Sequence, residues 1–323
     1  MKNIFRKVKK LLKILFIKPI YRLYKVKYVH TIWLLGSGRS GTTWIASLIN
    51  YDETYRELFE PFHIVLPELK FSGFTKHHYL KADAEHGKIQ KLAKRILNGQ
   101  FYSPRPEASN TYIWQSKYKN LLVKDVFANL LAYNVCKWNN HIKPIFLIRN
   151  PYAVALSKCS KKDWYWMTDP KDFLAQDNLV QDFLKPHVDY INEISDDGTY
   201  LDKQILIWSV INFIPLTQFA EDEICITFYE DWTIDPNAEL LRIQHFIDQS
   251  SSPVIDIKAS PKFSRPSKTT ATKKFDITSW KSEISKEQLA SGNKILEHFG
   301  LHMLYDEASI PRRTALVNFR SNR

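Results

Sequence analysis

The stretch Gly36-Ser37-Gly38-Arg39-Ser40-Gly41-Thr42-Thr43-Trp44 decides how the chain is read. Before it, Val29–Leu35 reads as a buried strand; after it, Thr43–Asn50 reads as the start of a helix. The chain has only 9 glycines in 323 residues, and three of them, Gly36, Gly38 and Gly41, fall in this stretch. A strand, a glycine-rich turn and a helix N-terminus together make an anion site. The glycines let the backbone approach a phosphate, and the free amides and helix dipole favour negative charge. The Gly36-to-Gly41 spacing is that of a nucleotide phosphate loop, but Thr42 stands where such nucleotidases carry lysine. Arg39, two residues before Gly41, supplies a cation instead.

Working outward, strand and helix patterns alternate. Leu121–Lys124 is followed by the helical run Phe127–Trp138, and Pro144–Ile148 leads into a helix beginning near Pro151. A long apolar helix over Tyr200–Phe219 precedes a strand at Ile224–Tyr229 and a helix at Asn237–Asp248. Strands alternating with helices predict an α/β fold, a P-loop-type central parallel sheet with helices on both faces. Ser250–Thr272, rich in Ser, Pro, Thr and Lys, reads as a loop.

The strand Ile145–Ile148 ends in Arg149-Asn150-Pro151, with Ser157 two turns into the following helix. A magnesium-binding nucleotidase strand would end in a carboxylate; this one ends in a guanidinium. Arginine, a helix-starting proline and a serine hydroxyl can converge on one phosphate. An ordinary strand–helix corner would account for the same residues.

Taken together, these segments resemble the sulfotransferases that use 3′-phosphoadenosine 5′-phosphosulfate (PAPS), most closely in motifs the carbohydrate sulfotransferases. Arg39-Ser40-Gly41-Thr42-Thr43-Trp44 is similar to the family's 5′-phosphosulfate loop, and Arg149 with Ser157 to its 3′-phosphate motif. The resemblance implies that Gly38, Arg39, Ser40, Gly41, Thr42, Thr43, Trp44, Arg149 and Ser157 hold the donor, with 3′,5′-diphosphoadenosine (PAP) as product and no metal. Glu60-Pro61 resembles the family's Phe-Glu-Pro segment, which implies Glu60 as general base; His63 remains an alternative base, and Arg39 would stabilise the leaving oxygen. Arg265-Pro266-Ser267-Lys268, followed by Trp280-Lys281, looks like the basic loop that closes over the nucleotide. The implied activity is transfer to a carbohydrate or glycolipid hydroxyl. A small alcohol or phenol acceptor, or a P-loop small-molecule kinase, is the alternative.

The formal charge of +12 implies an anionic partner: nucleic acid, an anionic membrane or a phosphorylated small molecule. No nucleic-acid-reading motif accompanies the charge, so no nucleic-acid partner is expected. Residues 1–28 interleave lysines with Ile4, Val8, Leu11, Leu12 and Leu15, as a basic amphipathic segment would. Such a segment either lies on anionic lipid or packs on the domain's back. Its longest apolar run, Ile14–Ile17, is far short of a membrane span. The expected organisation is this segment, a sulfotransferase domain over 29–310 and a basic tail over 311–323. Cys136, Cys159 and Cys225 form no paired spacing, which argues against a disulfide framework or zinc site and for a reducing, cytoplasmic location, peripheral on the inner membrane face if the leader binds lipid.

Overall fold

The structure, a computed structural model, describes residues 16–21, 23, 26–81, 87–112, 114–160, 166–248 and 276–321. Its centre is a five-stranded, wholly parallel sheet in the order β2-β3-β1-β4-β5. In chain order the main elements are β1 (Thr31–Gly36), α1 (Thr42–Ile49), β2 (Tyr55–Phe59), α2 (Pro67–Ser72) and α3 (Gly87–Leu97). Next come β3 (Asn120–Lys124), α4 (Ala132–Trp138), β4 (Ile142–Ile148), α5 (Pro151–Cys159), α6 (Val188–Asp197) and α7 (Tyr200–Gln218). The chain continues through β5 (Cys225–Phe228), α8 (Tyr229–Ile234), α9 (Pro236–Asp248), α10 (Lys286–His298) and α11 (Arg313–Ser321).

Side chains of β1 alternate between two apolar layers. Ile32 and Leu34 face α1 and α9, packing with Trp44, Ile45, Leu48, Leu240 and Ile243. Trp33 and Leu35 face the larger layer, which holds α7 and the buried parts of α3, α5 and α10. This two-sided cover is why β1 is buried at all six positions. α7 is apolar all round because it is buried against α5 on one side and α10 on another. Its start is fixed by a reciprocal cap: the Asp202 amide donates to Thr199 Oγ1 (3.2 Å), and the Thr199 amide donates to Asp202 (3.0 Å).

The expected parallel sheet and two-sided helix cover are therefore present, with one strand more than the sequence suggested. That strand is β2, which pairs with β3 in the register Phe59↔Lys124. At the C-terminal end, residues 313–321 form α11, whose Leu316 is buried and whose Arg313 pairs with Asp231 and Glu239. Most of the leader lies outside the described residues. The described part is docked through Tyr21, whose buried ring lies 4.5 Å from the Arg56 guanidinium and 5.1 Å from the Tyr102 ring.

A candidate anion-binding active site

All five strands point their C-terminal ends to one edge, the place where open parallel sheets bind ligands. β1 delivers the glycine loop there. At Gly36 a Cβ would stand 2.8 Å from the Leu147 carbonyl oxygen of β4, so only glycine lets the two strands run this close. The loop then turns through two left-handed residues, Arg39 (φ 71°) and Gly41 (φ 95°). Ser40 winds it: both its amide (3.1 Å) and its hydroxyl (2.6 Å) donate to the Ser37 carbonyl. α1 opens with no side-chain cap and no acid in its first turn, and its first internal bonds run from Trp44 and Ile45 to the Gly41 carbonyl. The amides ahead of those bonds, at Thr42 and Thr43, belong to the set a helix leaves for an outside acceptor.

β4 delivers Arg149 beside this loop. Its guanidinium lies 4.2 Å from the Tyr229 ring centre, and Nη1 donates to the Arg39 carbonyl (3.1 Å). The backbone around it is pinned on both sides. Trp208 Nε1 donates to the Arg149 carbonyl (3.1 Å), and the Asn150 amide donates to Glu230 (2.9 Å), whose other oxygen accepts from the Tyr305 hydroxyl (3.1 Å). Burial pushes the Glu230 carboxyl up to about 7. Asn150 caps α5 by accepting from the Tyr152 and Ala153 amides. One further contact joins the two motifs: Arg39 Nε donates to Ser157 Oγ at 3.0 Å. The expected 5′ and 3′ anchors are thus adjacent. Tyr229 joins them as well, since its ring also faces Gly41 and stands edge-on to Trp44 at 5.5 Å.

Glu60 directly follows β2 with φ 48°, its amide donating to the Lys124 carbonyl (2.6 Å). Its carboxylate lies between two cations, Lys124 Nζ at 2.8 Å and Arg105 Nη2 at 2.6 Å. Burial alone would raise its pKa, but Lys124 and then Arg105 outweigh burial and hold it at about 2. Lys124 and Arg105 also lie over the Phe59 ring, at 4.4 and 5.3 Å. Neither cation was singled out from the sequence. The available signal was Lys124 itself, a lysine closing the otherwise apolar run of β3.

His63 is buried, with its ring edge-on to Phe127 (4.6 Å) and Trp166 (4.2 Å). Burial first, then the charge on Arg105, pushes it down to about 4. Its Nδ1 accepts from the Val65 amide (3.0 Å), so in the neutral ring the proton sits on Nε2 and the lone pair at Nδ1 is occupied. That arrangement leaves Nε2–H as the ring's remaining hydrogen-bond donor. On its other side Phe127 meets the ring of His77 (5.9 Å). His77 is fully buried and pushed down to about 3 by burial and then by Lys158 and Lys76. Lys158, next to Ser157, is lowered to about 7 by burial, with Arg39 adding to the effect.

Trp280, expected beside the nucleotide, is held by two contacts within the domain. Its ring stacks on Tyr152 (4.8 Å), and its Nε1 donates to Ser309 Oγ (3.0 Å). Arg265, Ser267 and Lys268 lie outside the described residues. Among the described residues, no three His, Cys, Asp or Glu side chains are grouped to hold a metal ion.

Cations, hydroxyls and first-turn amides converging at one sheet edge are suited to a doubly anionic nucleotide. Among solved structures, a sulfotransferase from Alicyclobacillus acidocaldarius is similar at 12% identity, covering 84% of this chain and 97% of its own, with a TM-score of 0.39. The sulfotransferase domain of the Synechococcus PCC 7002 olefin synthase is similar at 19% identity (85% and 97% covered, TM-score 0.39). A mouse sulfotransferase solved with PAP is similar at 13% identity (94% and 94% covered, TM-score 0.42). No curated protein matches the sequence. The family model described as "Sulfotransferase domain" matches residues 30–297, from the residue before β1 to the last turn of α10. With a match over most of its length, the chain belongs to the sulfotransferase family.

Proposed function

We propose that this sulfotransferase moves the sulfuryl group of PAPS to a carbohydrate or glycolipid hydroxyl by in-line displacement, with Glu60 as general base. The observation that carries the donor side is the Arg39–Ser157 contact beside Arg149, which joins the loop and the β4 corner into one anion site. The first-turn amides with Ser40, Thr42 and Thr43 hold the 5′-phosphosulfate, while Arg149 and Ser157 hold the 3′-phosphate. Gly38 and Gly41 give the backbone its approach, and Trp44 borders the nucleotide. Arg265, Ser267 and Lys268 stay part of the proposal as donor contacts.

The acceptor oxygen bonds to sulfur as the bond from sulfur to the bridging oxygen breaks. The electron pair leaves on PAP, where Arg39 and the α1 N-terminus stabilise it. The acceptor proton passes to Glu60. A carboxylate held at about 2 is a weak base, so the donor's own charge has a part in the step. An anion beside Lys124 draws that cation away from Glu60 and raises the carboxylate's affinity for a proton. His63, through Nε2–H, orients the acceptor oxygen. Lys124 is well placed for this exchange: it ends β3, which lies between β2 and β1 in the sheet.

The His63–Phe127–Trp166 aromatic cluster near Glu60 favours a flat ring in the acceptor site and keeps a phenol as a second reading. Labelled-sulfate transfer to a panel of glycans, glycolipids and phenols tests the acceptor. Glu60→Gln tests the base: transfer should be abolished while PAP still binds, and unimpaired turnover would remove Glu60 from the mechanism. Among the described residues no helix is long and apolar enough to cross a membrane. A cytoplasmic enzyme whose basic leader rests on the inner membrane face is the cellular side of the same proposal.

A further inference from the structure

Residues 16–21 and 23 are helical, and three large apolar side chains on that stretch face solvent. Phe16, Ile20 and Leu23 are 68%, 40% and 81% exposed. Their spacing of four and three places them on one helical face. The opposite side of the stretch is occupied: Tyr21 is buried against Arg56 and Tyr102, and Lys18 pairs with Glu68 of α2 at 2.5 Å. The outward stripe is therefore held outward by the docking of the inward one.

The Lys18–Glu68 pair sets this stretch beside α2, which carries a second apolar outcrop. Leu66, Leu69 and Phe74 bury their side chains in the core, whereas Phe71 is 81% exposed and Val65 is exposed just ahead of the helix. Val65, Glu68 and Phe71 follow one another at intervals of three. Lys70 and Lys27 are exposed nearby in the chain. Residues 1–28 hold ten lysines and arginines and no acidic residue.

We infer that residues 16–21 and 23, together with α2, form one docking face for an anionic lipid bilayer, and that the acceptor reaches Glu60 from that bilayer. The occupant follows from the chemistry. Exposed Phe and Leu flanked by lysines suit the headgroup boundary of an anionic membrane, where apolar side chains insert and cations meet lipid phosphates. An acidic protein partner would satisfy the lysines but leave no counterpart for isolated Phe and Leu outcrops on two separate elements. α2 follows directly from the segment carrying Glu60 and His63, and the chain from His63 to Phe71 can span at most roughly 20 Å. A headgroup hydroxyl at the interface is thus within reach of the cleft. This second clause rests on the sulfotransferase reading; the docking face does not.

The test uses the full-length protein and vesicles of phosphatidylcholine alone or mixed with phosphatidylglycerol. Co-sedimentation is expected with the mixed vesicles only, weakening as salt is raised. The double variant Leu23→Ser, Phe71→Ser should bind them at least tenfold more weakly, and Phe71→Ser alone should show part of that loss. Both positions are exposed, so melting temperature and PAP affinity should stay at wild-type values. PAP affinity also reports separately on the donor reading. The inference is overturned if the wild type ignores the mixed vesicles, or if the double variant binds them as well as the wild type. It is equally overturned if Phe71→Ser turns a dimer into a monomer in sedimentation analysis, which would make the face a contact between copies of this chain.

Discussion

Replacing Glu60 by Gln should change how stability depends on pH by an amount the structure fixes. The carboxyl titrates at about 2 in the folded protein against an ordinary 4.5, and its side chain is 13% exposed. A shift of that size corresponds to roughly 3 kcal/mol, at about 1.4 kcal/mol per unit of pKa. Breaking one side of a buried ion pair costs about 3–5 kcal/mol, so two independent routes give the same size. The sign follows from a depressed folded-state value. The contribution is fully present above pH 4.5 and is lost as pH falls through 4.5 toward 2. Urea unfolding of wild type and Glu60→Gln, followed by tryptophan fluorescence at closely spaced pH values, reads this directly. The two should differ by about 3 kcal/mol near pH 6, and the difference should shrink steadily as pH falls toward 2, where the wild-type carboxyl is half protonated. Taking the difference cancels the titrating groups that Glu60 does not influence; His63 and Asp125, both raised by its charge, are the exceptions. A gap that stays constant from pH 6 to pH 2 would show that Lys124 and Arg105 do not hold Glu60 ionised, and the account of the base would fail with it.

Two further outcomes concern the donor site. Arg149→Ala should weaken PAP binding by roughly 10- to 150-fold in calorimetry, the loss expected for hydrogen bonds to a charged group of about 1.5–3 kcal/mol; an unchanged affinity would take Arg149 out of the site. Gly41→Ala places a Cβ 2.5 Å from the Tyr229 ring at φ 95°, whereas Gly73→Ala meets nothing within 4 Å at φ 82°. Both should lose about 1–3 kcal/mol to backbone strain, but only Gly41→Ala should lose PAP binding, and equal behaviour of the two would refute the role given to the Tyr229 contact.

The loop and the β4 corner were legible in the sequence because their strands are apolar runs buried on both faces, bounded by glycines or by a proline at a helix start. β2 was not legible. Its second residue, Arg56, is wholly buried, pairing with Glu107 and donating to the carbonyls of Gly99 and Phe101, all distant in the chain. A sequence shows the arginine but not the acceptors that make its burial tolerable. The partners of Glu60 were hidden for a related reason: Lys124 lies 64 residues away and becomes a neighbour only through the parallel register of β2 and β3. The environment of His63 was equally out of reach, since the amide that occupies its Nδ1 belongs to a turn whose geometry no residue pattern specifies.

Tyr229 touches three things at once: the α-carbon side of Gly41, the guanidinium of Arg149 and the edge of Trp44. These positions are therefore not independent in inheritance. Substitutions among them should be strongly non-additive, because each removes part of the surface against which the others are fitted. A smaller ring-face at 229 would relax the demand for glycine at 41 while loosening the arginine at 149. A lineage that drifts at one of the four must pass through a poorly binding intermediate or change two together. The site is thus expected to evolve in jumps, even where the helices around it drift one residue at a time.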